Sequence, residues 1–199
     1  MERILPKEFY SRKTTVVAKE LLGKTIVRKL GGIKIEGKIV ETEAYGGKED
    51  PASHAYRGIT KRNRVMFEEP GHVYVYFTYG NHWCLNLVAH EPNRPGAVLI
   101  RAIEPTSGIE YMKKFRDVSS LENLCNGPGK LTKALKIDRK LNGLDVTKEG
   151  ELYVIDTEEK MFEIGISSRI GIKKGRNKLW RFFIKGNPFV SRVTIGRKV

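Results

Sequence analysis

Residues His72 to Asn86 read HVYVYFTYGNHWCLN. Val73, Val75 and Phe77 alternate with Tyr74 and Tyr76, the period-two pattern of a β-strand. Tyr79 precedes Gly80-Asn81, and Trp83 to Ala89 is again rich in strand formers, so the stretch predicts a β-hairpin. Alternation assigns Val73, Val75 and Phe77 to a core face and leaves Tyr74 and Tyr76 on a face available to a ligand. A buried strand rarely carries tyrosines, because each hydroxyl needs a partner once water is gone.

The neighbouring segments extend a sheet outward from this hairpin. Gly96 to Pro105, GAVLIRAIEP, reads as a central, mostly apolar strand. Upstream, two β-branched runs flank Gly31-Gly32 in KTIVRKLGGIKIEGKIVETEAY, a second hairpin signal. ELYVID and KLWRFFIKGN add strand-like runs in the last third. Helices are fewer. Thr14 to Gly23 places Val16, Val17, Ala18, Leu21 and Leu22 mostly on one face, and Gly23 suits the C-terminal stop. Thr106 or Ser107 is the expected N-cap of a helix spacing Ile109, Met112 and Phe115. NGPGK (Asn126 to Lys130) is a glycine-rich turn leading into a short helix. Gly46 to Met66 forms a long polar loop, a length that is usually functional or disordered in a compact domain. The pattern predicts an α+β fold: one domain over residues 1–199, with a curved, largely antiparallel sheet flanked by helices.

Composition narrows the function. The 199 residues fit one domain. No apolar run approaches the ~20 residues of a membrane span, and MERILPKEFYSRK has no apolar signal region, so an intracellular, non-secreted protein is expected. Two cysteines, Cys84 and Cys125, build neither a disulfide framework nor a four-cysteine zinc site. The four histidines (54, 72, 82 and 90) lack ligand spacing with them, so no metal and no cofactor are expected. Lysine and arginine total 37 against 23 acids, a net charge of +14 spread through the chain. A folded basic domain points to a polyanionic partner, above all nucleic acid.

Several residues suit such a partner. Tyr79 at a hairpin tip is placed either to pack locally or to act as a wedge in a base stack. VETEAY (Val40 to Tyr45) puts Glu41, Glu43 and Tyr45 on one parity, and a carboxylate beside a long loop is a candidate general base. Parity leaves the choice between Glu41 and Glu43 open. In the loop, His54 is a candidate donor to a base edge, and Arg57, Lys61, Arg62 and Arg64 are spaced for phosphate contact. Lys130 adds charge at a helix start. HVYVYFTYG does not match the RNA-recognition consensus, and no zinc-deaminase pattern exists because C-x-x-C is absent.

ETEAY, a histidine nine residues after its tyrosine, RNR.MF..PG..YVY..YG, C.N, L.RA.EP and C.GP.KL..AL stand in order over residues 39 to 135. This order resembles the alkyladenine (3-methyladenine) DNA glycosylases of the mammalian type, and RFFIKGNPFVS extends the likeness more weakly. The resemblance implies excision of a damaged purine from double-stranded DNA by a monomer that hydrolyses the N-glycosidic bond without cutting the strand. By position, Glu43 resembles the base that activates water, with Arg101 as its partner. Tyr45, His54 and Tyr76 resemble the walls around the flipped base. Tyr79 resembles the residue filling the vacated stack, and Asn86 one that crowds the exocyclic amine of guanine. Arg57, Arg62, Arg64 and Lys130 are the expected phosphate contacts. The chain departs from the family at Gly46-Gly47-Lys48 and at Asn81-His82. The alternative is a non-catalytic nucleic-acid-binding module.

Overall fold

The computed structural model describes residues 3–157 and 161–191. Its strands are β1 (Arg3–Ile4), β2 (Thr25–Leu30), β3 (Ile33–Tyr45), β4 (Val73–Thr78), β5 (His82–Val88), β6 (Ala97–Ser107), β7 (Leu152–Asp156), β8 (Ile164–Ser167) and β9 (Arg181–Ile184). The α-helices are α1 (Lys7–Tyr10), α2 (Thr14–Glu20), α3 (Ile109–Arg116) and α4 (Pro128–Ala134). The sheet runs β1-β7-β2-β3-β6-β5-β4 with every pairing antiparallel, and it curls into a half-barrel, an α+β fold.

The 13-residue β3 is the spine. Its first half pairs β2 through the Gly31-Gly32 turn, from Thr25↔Lys38 to Leu30↔Ile33. Its second half pairs β9, from Glu41↔Phe183 to Glu43↔Arg181, while β6 lies along the other edge. Glu41 and Glu43 therefore sit on a strand hydrogen-bonded on both sides. α2 turns Val17 and Ala18 onto the sheet but leaves Val16, expected on the same face, exposed to solvent, and α3 and α4 add Met112, Leu131 and Ala134 to the same core. The larger of these, Val17, Met112 and Leu131, each stabilise by roughly 1.5–3 kcal/mol.

Some expectations are corrected. Thr106 and Ser107 continue β6, because pairing with β3 persists to Glu36↔Ser107; Gly108 is the N-cap of α3. Gly108 has φ of 70°, and a Cβ there would lie 2.9 Å from the Lys34 carbonyl oxygen, so this tight corner suits glycine. Phe77 is 45% exposed instead of facing the core. β5 pairs β6 only from Asn86 onward, so the outer hairpin projects beyond the sheet and Phe77 rests on Trp83, 4.9 Å between ring centroids. Tyr74 is buried, packed with Ala55, Val65 and Met66, so its ring is not open to a ligand.

The Gly46–Met66 loop is ordered by its own side chains. It contains two short 3-10 helices, His54–Arg57 and, at its end, Arg64–Phe67. Buried Asn63 donates to the carbonyls of His54 (2.7 Å) and Gly58 (2.9 Å) and accepts from the Thr60 N–H (2.6 Å). The asparagine between the two arginines of RNR is thus the loop's internal tie. No helix among the described residues is long and apolar enough to cross a membrane.

Candidate active site

Both carboxylates of ETEAY have zero exposure. Ala102 stands opposite Glu41 and Ile100 opposite Thr42, which leaves Arg101 with no residue facing it on β3. Such register shifts re-aim a side chain, and Arg101 reaches both acids: Nε to Glu41 Oε1 at 2.9 Å, Nη1 to Glu43 Oε1 at 3.3 Å.

The two acids then differ. Glu41 Oε1 also accepts from Arg181 Nε (2.6 Å) and Ser191 Oγ (2.8 Å), and Oε2 accepts the Ser191 N–H (2.7 Å). With Arg101 that makes four donors, three of them crowded on Oε1 and two of them arginines. Burial pushes the Glu41 pKa up, but the charges of Arg101 and Arg181 and the Ser191 hydrogen bond outweigh it and hold it below the ordinary value. Glu43 accepts the Ile170 N–H on Oε1 (2.7 Å) and the Tyr45 hydroxyl on Oε2 (2.7 Å). Counting Arg101, one acceptor direction of Glu43 has no donor among the described residues.

A cavity of about 650 Å³ opens over Glu43, within the usual range for a small-molecule pocket. Its walls include Tyr45, His54, Tyr76, Cys84, Leu99 and Arg101. Glu43 lies just beneath: its three partners, Tyr45, Ile170 and Arg101, all line the cavity. Burial, and then the Glu43 charge, push the Tyr45 phenol well above its ordinary pKa, so it stays protonated and donates. The His54 and Tyr76 rings meet edge to face at 4.6 Å, and Tyr74 stands behind Tyr76 at 5.3 Å. The Tyr74 hydroxyl is 2.9 Å from His54 Nδ1 and braces that ring. His54 is exposed by surface area, yet packing among these rings lowers its pKa to about 4, with the Arg62 charge adding to the effect. Water at the ring's outer edge weakens the effect, and the imidazole is neutral at pH 7.

The cavity gathers most of the expected site. Tyr45, His54, Tyr76, Arg101 and Arg57 line it, and Tyr79 stands at its rim, 78% exposed with φ of 50°. Asn86 is buried, donates to the Tyr74 carbonyl at 3.0 Å and does not line the cavity. Arg62 lies over the Tyr76 ring at 5.2 Å and donates to the Phe77 carbonyl, which ties the loop to the hairpin. Arg64 pairs with Glu68 on the surface, and Lys130 donates to Asn126 Oδ1 at 2.6 Å. The residues not foreseen are Ile170, Lys173 and Lys174 on the cavity, and Arg181 and Ser191 around Glu41. A weak motif likeness in RFFIKGNPFVS was the one signal for the last two. Among the described residues no group of three or more His, Cys, Asp or Glu is placed to hold a metal ion.

Residues 8–188 match the family model described as methylpurine-DNA glycosylase, and the chain belongs to that family. A Carboxydothermus hydrogenoformans protein named "Putative 3-methyladenine DNA glycosylase" is 50% identical over 190 residues, covering 95% of this chain and 99% of its own length. Proteins of the same name from Clostridium perfringens and Methanocella arvoryzae are similar too. The first is 48% identical over 202 residues, covering 94% of this chain and 98% of its own length. The second is 49% identical over 193 residues, covering 95% and 96%.

Proposed function

We propose that this chain is a monomeric, single-domain DNA glycosylase that releases alkylated or deaminated purines from double-stranded DNA. The observation that carries the reading is Glu43, a buried carboxylate with one acceptor direction open beneath a ring-lined cavity.

A base inside a duplex is out of reach, so the target nucleotide is flipped into the cavity at a cost of a few kcal/mol in lost stacking. Tyr79, exposed at the rim, fills the gap left behind. Tyr45, Tyr76 and His54 take the base between their rings. A methylated purine is often cationic, which favours tyrosine faces. The neutral His54 adds no positive charge against it. Arg57, Lys173 and Lys174 around the mouth suit the flanking phosphates.

In the bond-breaking step the glycosidic electron pair leaves with the purine, and positive charge develops on the sugar ring. Water held at the open side of Glu43 adds to the anomeric carbon and passes its proton to the carboxylate. Arg101 offsets the negative charge that Glu43 carries into this step. An alkylated, cationic purine leaves neutral. A deaminated purine leaves as its anion and takes up a proton from water, while Glu43 returns its own to solvent. The products are a free base and an abasic site. No amine nucleophile takes part, so the strand stays uncut.

Single-turnover base release from duplexes carrying hypoxanthine or a methylated purine tests this. The wild type is expected to release the base and leave an alkali-labile, uncut strand. Glu43→Gln is expected to bind the same duplex and release nothing. Tight binding by both proteins without release would make the chain a binding module.

A further inference from the structure

Beneath the cavity wall lies a buried ion pair with no part in the chemistry assigned to Glu43. Asp50 and Arg169 are fully buried side chains, joined Nη1 to Oδ2 and Nη2 to Oδ1, both at 2.6 Å. This is the two-pronged geometry in which arginine fixes direction as well as charge.

The pair touches each segment that surrounds Glu43. At the end of β3, Arg169 Nη1 donates to the Ala44 carbonyl at 2.8 Å, and the guanidinium lies 4.7 Å from the Tyr45 ring centroid. In the loop leading to His54, Asp50 accepts the N–H groups of Gly46 (3.0 Å) and Ala52 (3.3 Å). In the third segment Arg169 is joined directly to Ile170, whose N–H binds Glu43. Trp180 closes the other side of the guanidinium at 5.2 Å. Gly175 seals the pair from above: its φ is 67°, and a Cβ there would stand 3.2 Å from Arg169 Nη2 and 3.4 Å from Asp50 Oδ1.

Stability alone is a poor account of such a pair. Two desolvated charges contribute little more than well-packed apolar residues of the same volume. A forked charge pair fixes the orientation of what it joins, and here it joins the segments carrying two of the three donors of Glu43, Tyr45 and Ile170. We propose that Asp50 and Arg169 are positioning residues: they hold the Ile170 N–H and the Tyr45 hydroxyl against the two oxygens of Glu43, and they anchor the loop carrying His54. The inference rests on the glycosylase reading of Glu43.

Two variants test it. Arg169→Lys keeps the charge and loses the fork. The double variant Asp50→Asn, Arg169→Gln removes both charges and leaves neither stranded should the single change fail to fold. Base release is measured at saturating enzyme, well below each unfolding midpoint, beside the affinity for the same duplex. Backbone amide exchange is followed at Ile170 and, as a control, at Ile100 in β6. The expected result is base release about 100-fold slower, the scale of a ~1 Å misplacement, with duplex affinity little changed. Exchange at Ile170 speeds up while Ile100 keeps its protection. A variant with a lower midpoint but wild-type base release, or with wild-type exchange at Ile170, overturns the proposal. Should the wild type itself release no base, the glycosylase reading fails separately. The exchange at Ile170 alone then decides: unchanged protection overturns the positioning role, and lost protection sustains it.

Discussion

Replacing Glu41 by glutamine removes the negative charge between two buried arginines. Arg101 and Arg181 are 7% and 6% exposed, and their Nε atoms lie 2.9 and 2.6 Å from Glu41 Oε1. Arg101 keeps Glu43 at 3.3 Å, whereas the Arg181 contacts that remain are neutral: Ser167 Oγ at 3.0 Å and the Phe183 ring. Removing one partner of a buried pair costs about 3–5 kcal/mol. Glutamine also turns an amide donor toward either the Ser191 N–H or the arginine side, adding an unmade hydrogen bond of about 1–3 kcal/mol. Because these effects overlap, about 4 kcal/mol is the working figure, which for a domain of this size lowers the melting midpoint by about 8–16 °C.

Glu43→Gln is the control. Its amide still accepts one of its two hydrogen bonds, and Arg101 keeps Glu41, so the expected loss is under about 2 kcal/mol. Calorimetry at neutral pH, repeated in acid, reads both. Because its native pKa is lowered, Glu41 stabilises the fold above the ordinary carboxylate value of 4.5, and that contribution is lost as pH falls through the lower native value. The gap between wild type and Glu41→Gln should therefore close in acid. A Glu41→Gln protein that melts with the wild type at pH 7, or a Glu43→Gln protein that melts lower still, would refute the division of roles.

Three further outcomes follow from the same geometry. His54 has a native pKa lowered to about 4, so between pH 6.5 and 4 the unfolded chain takes up a proton that the native ring does not. The wild type should lose stability across that window as pH falls, by about 1 kcal/mol after allowance for the exposed ring edge. A His54→Gln protein should lack that slope in urea unfolding. Tyr79→Ala should leave stability within about 0.5 kcal/mol, since the ring is exposed. It should slow release from duplex DNA more than from single strands, and equal slowing would discard the wedge role. Lys173→Ala with Lys174→Ala should reduce the slope of log affinity against log salt by about 2 for duplex DNA. An unchanged slope would place the phosphates elsewhere.

Much of the fold was legible because its signals are local. Alternation across Val73–Phe77 and the Gly80-Asn81 turn specify a hairpin from within a few residues, and the Gly31-Gly32 turn does the same for β2 and β3. The motif order likewise pointed to Glu43, Tyr45, His54, Tyr76 and Arg101 as one site, and the cavity gathers four of them over the fifth. Phe77 was misplaced because alternation says which face a residue takes and not where the neighbouring strand ends. Thr106 and Ser107 were misplaced because a capping residue type is also acceptable in a strand when a partner strand continues beside it.

The sequence by itself determined the antiparallel hairpins, the basic character and the family likeness, since each is written in neighbouring residues or in motif order. Only the tertiary structure separated Glu41 from Glu43. They share parity and chemistry, and they differ in donors from far along the chain: Ser191 and Arg181 on Glu41, Ile170 on Glu43. The Asp50–Arg169 fork joins residues 119 positions apart. No periodicity marks such a partner, because what brings the two together is the pairing of β3 with β9 and the closing of loops over it.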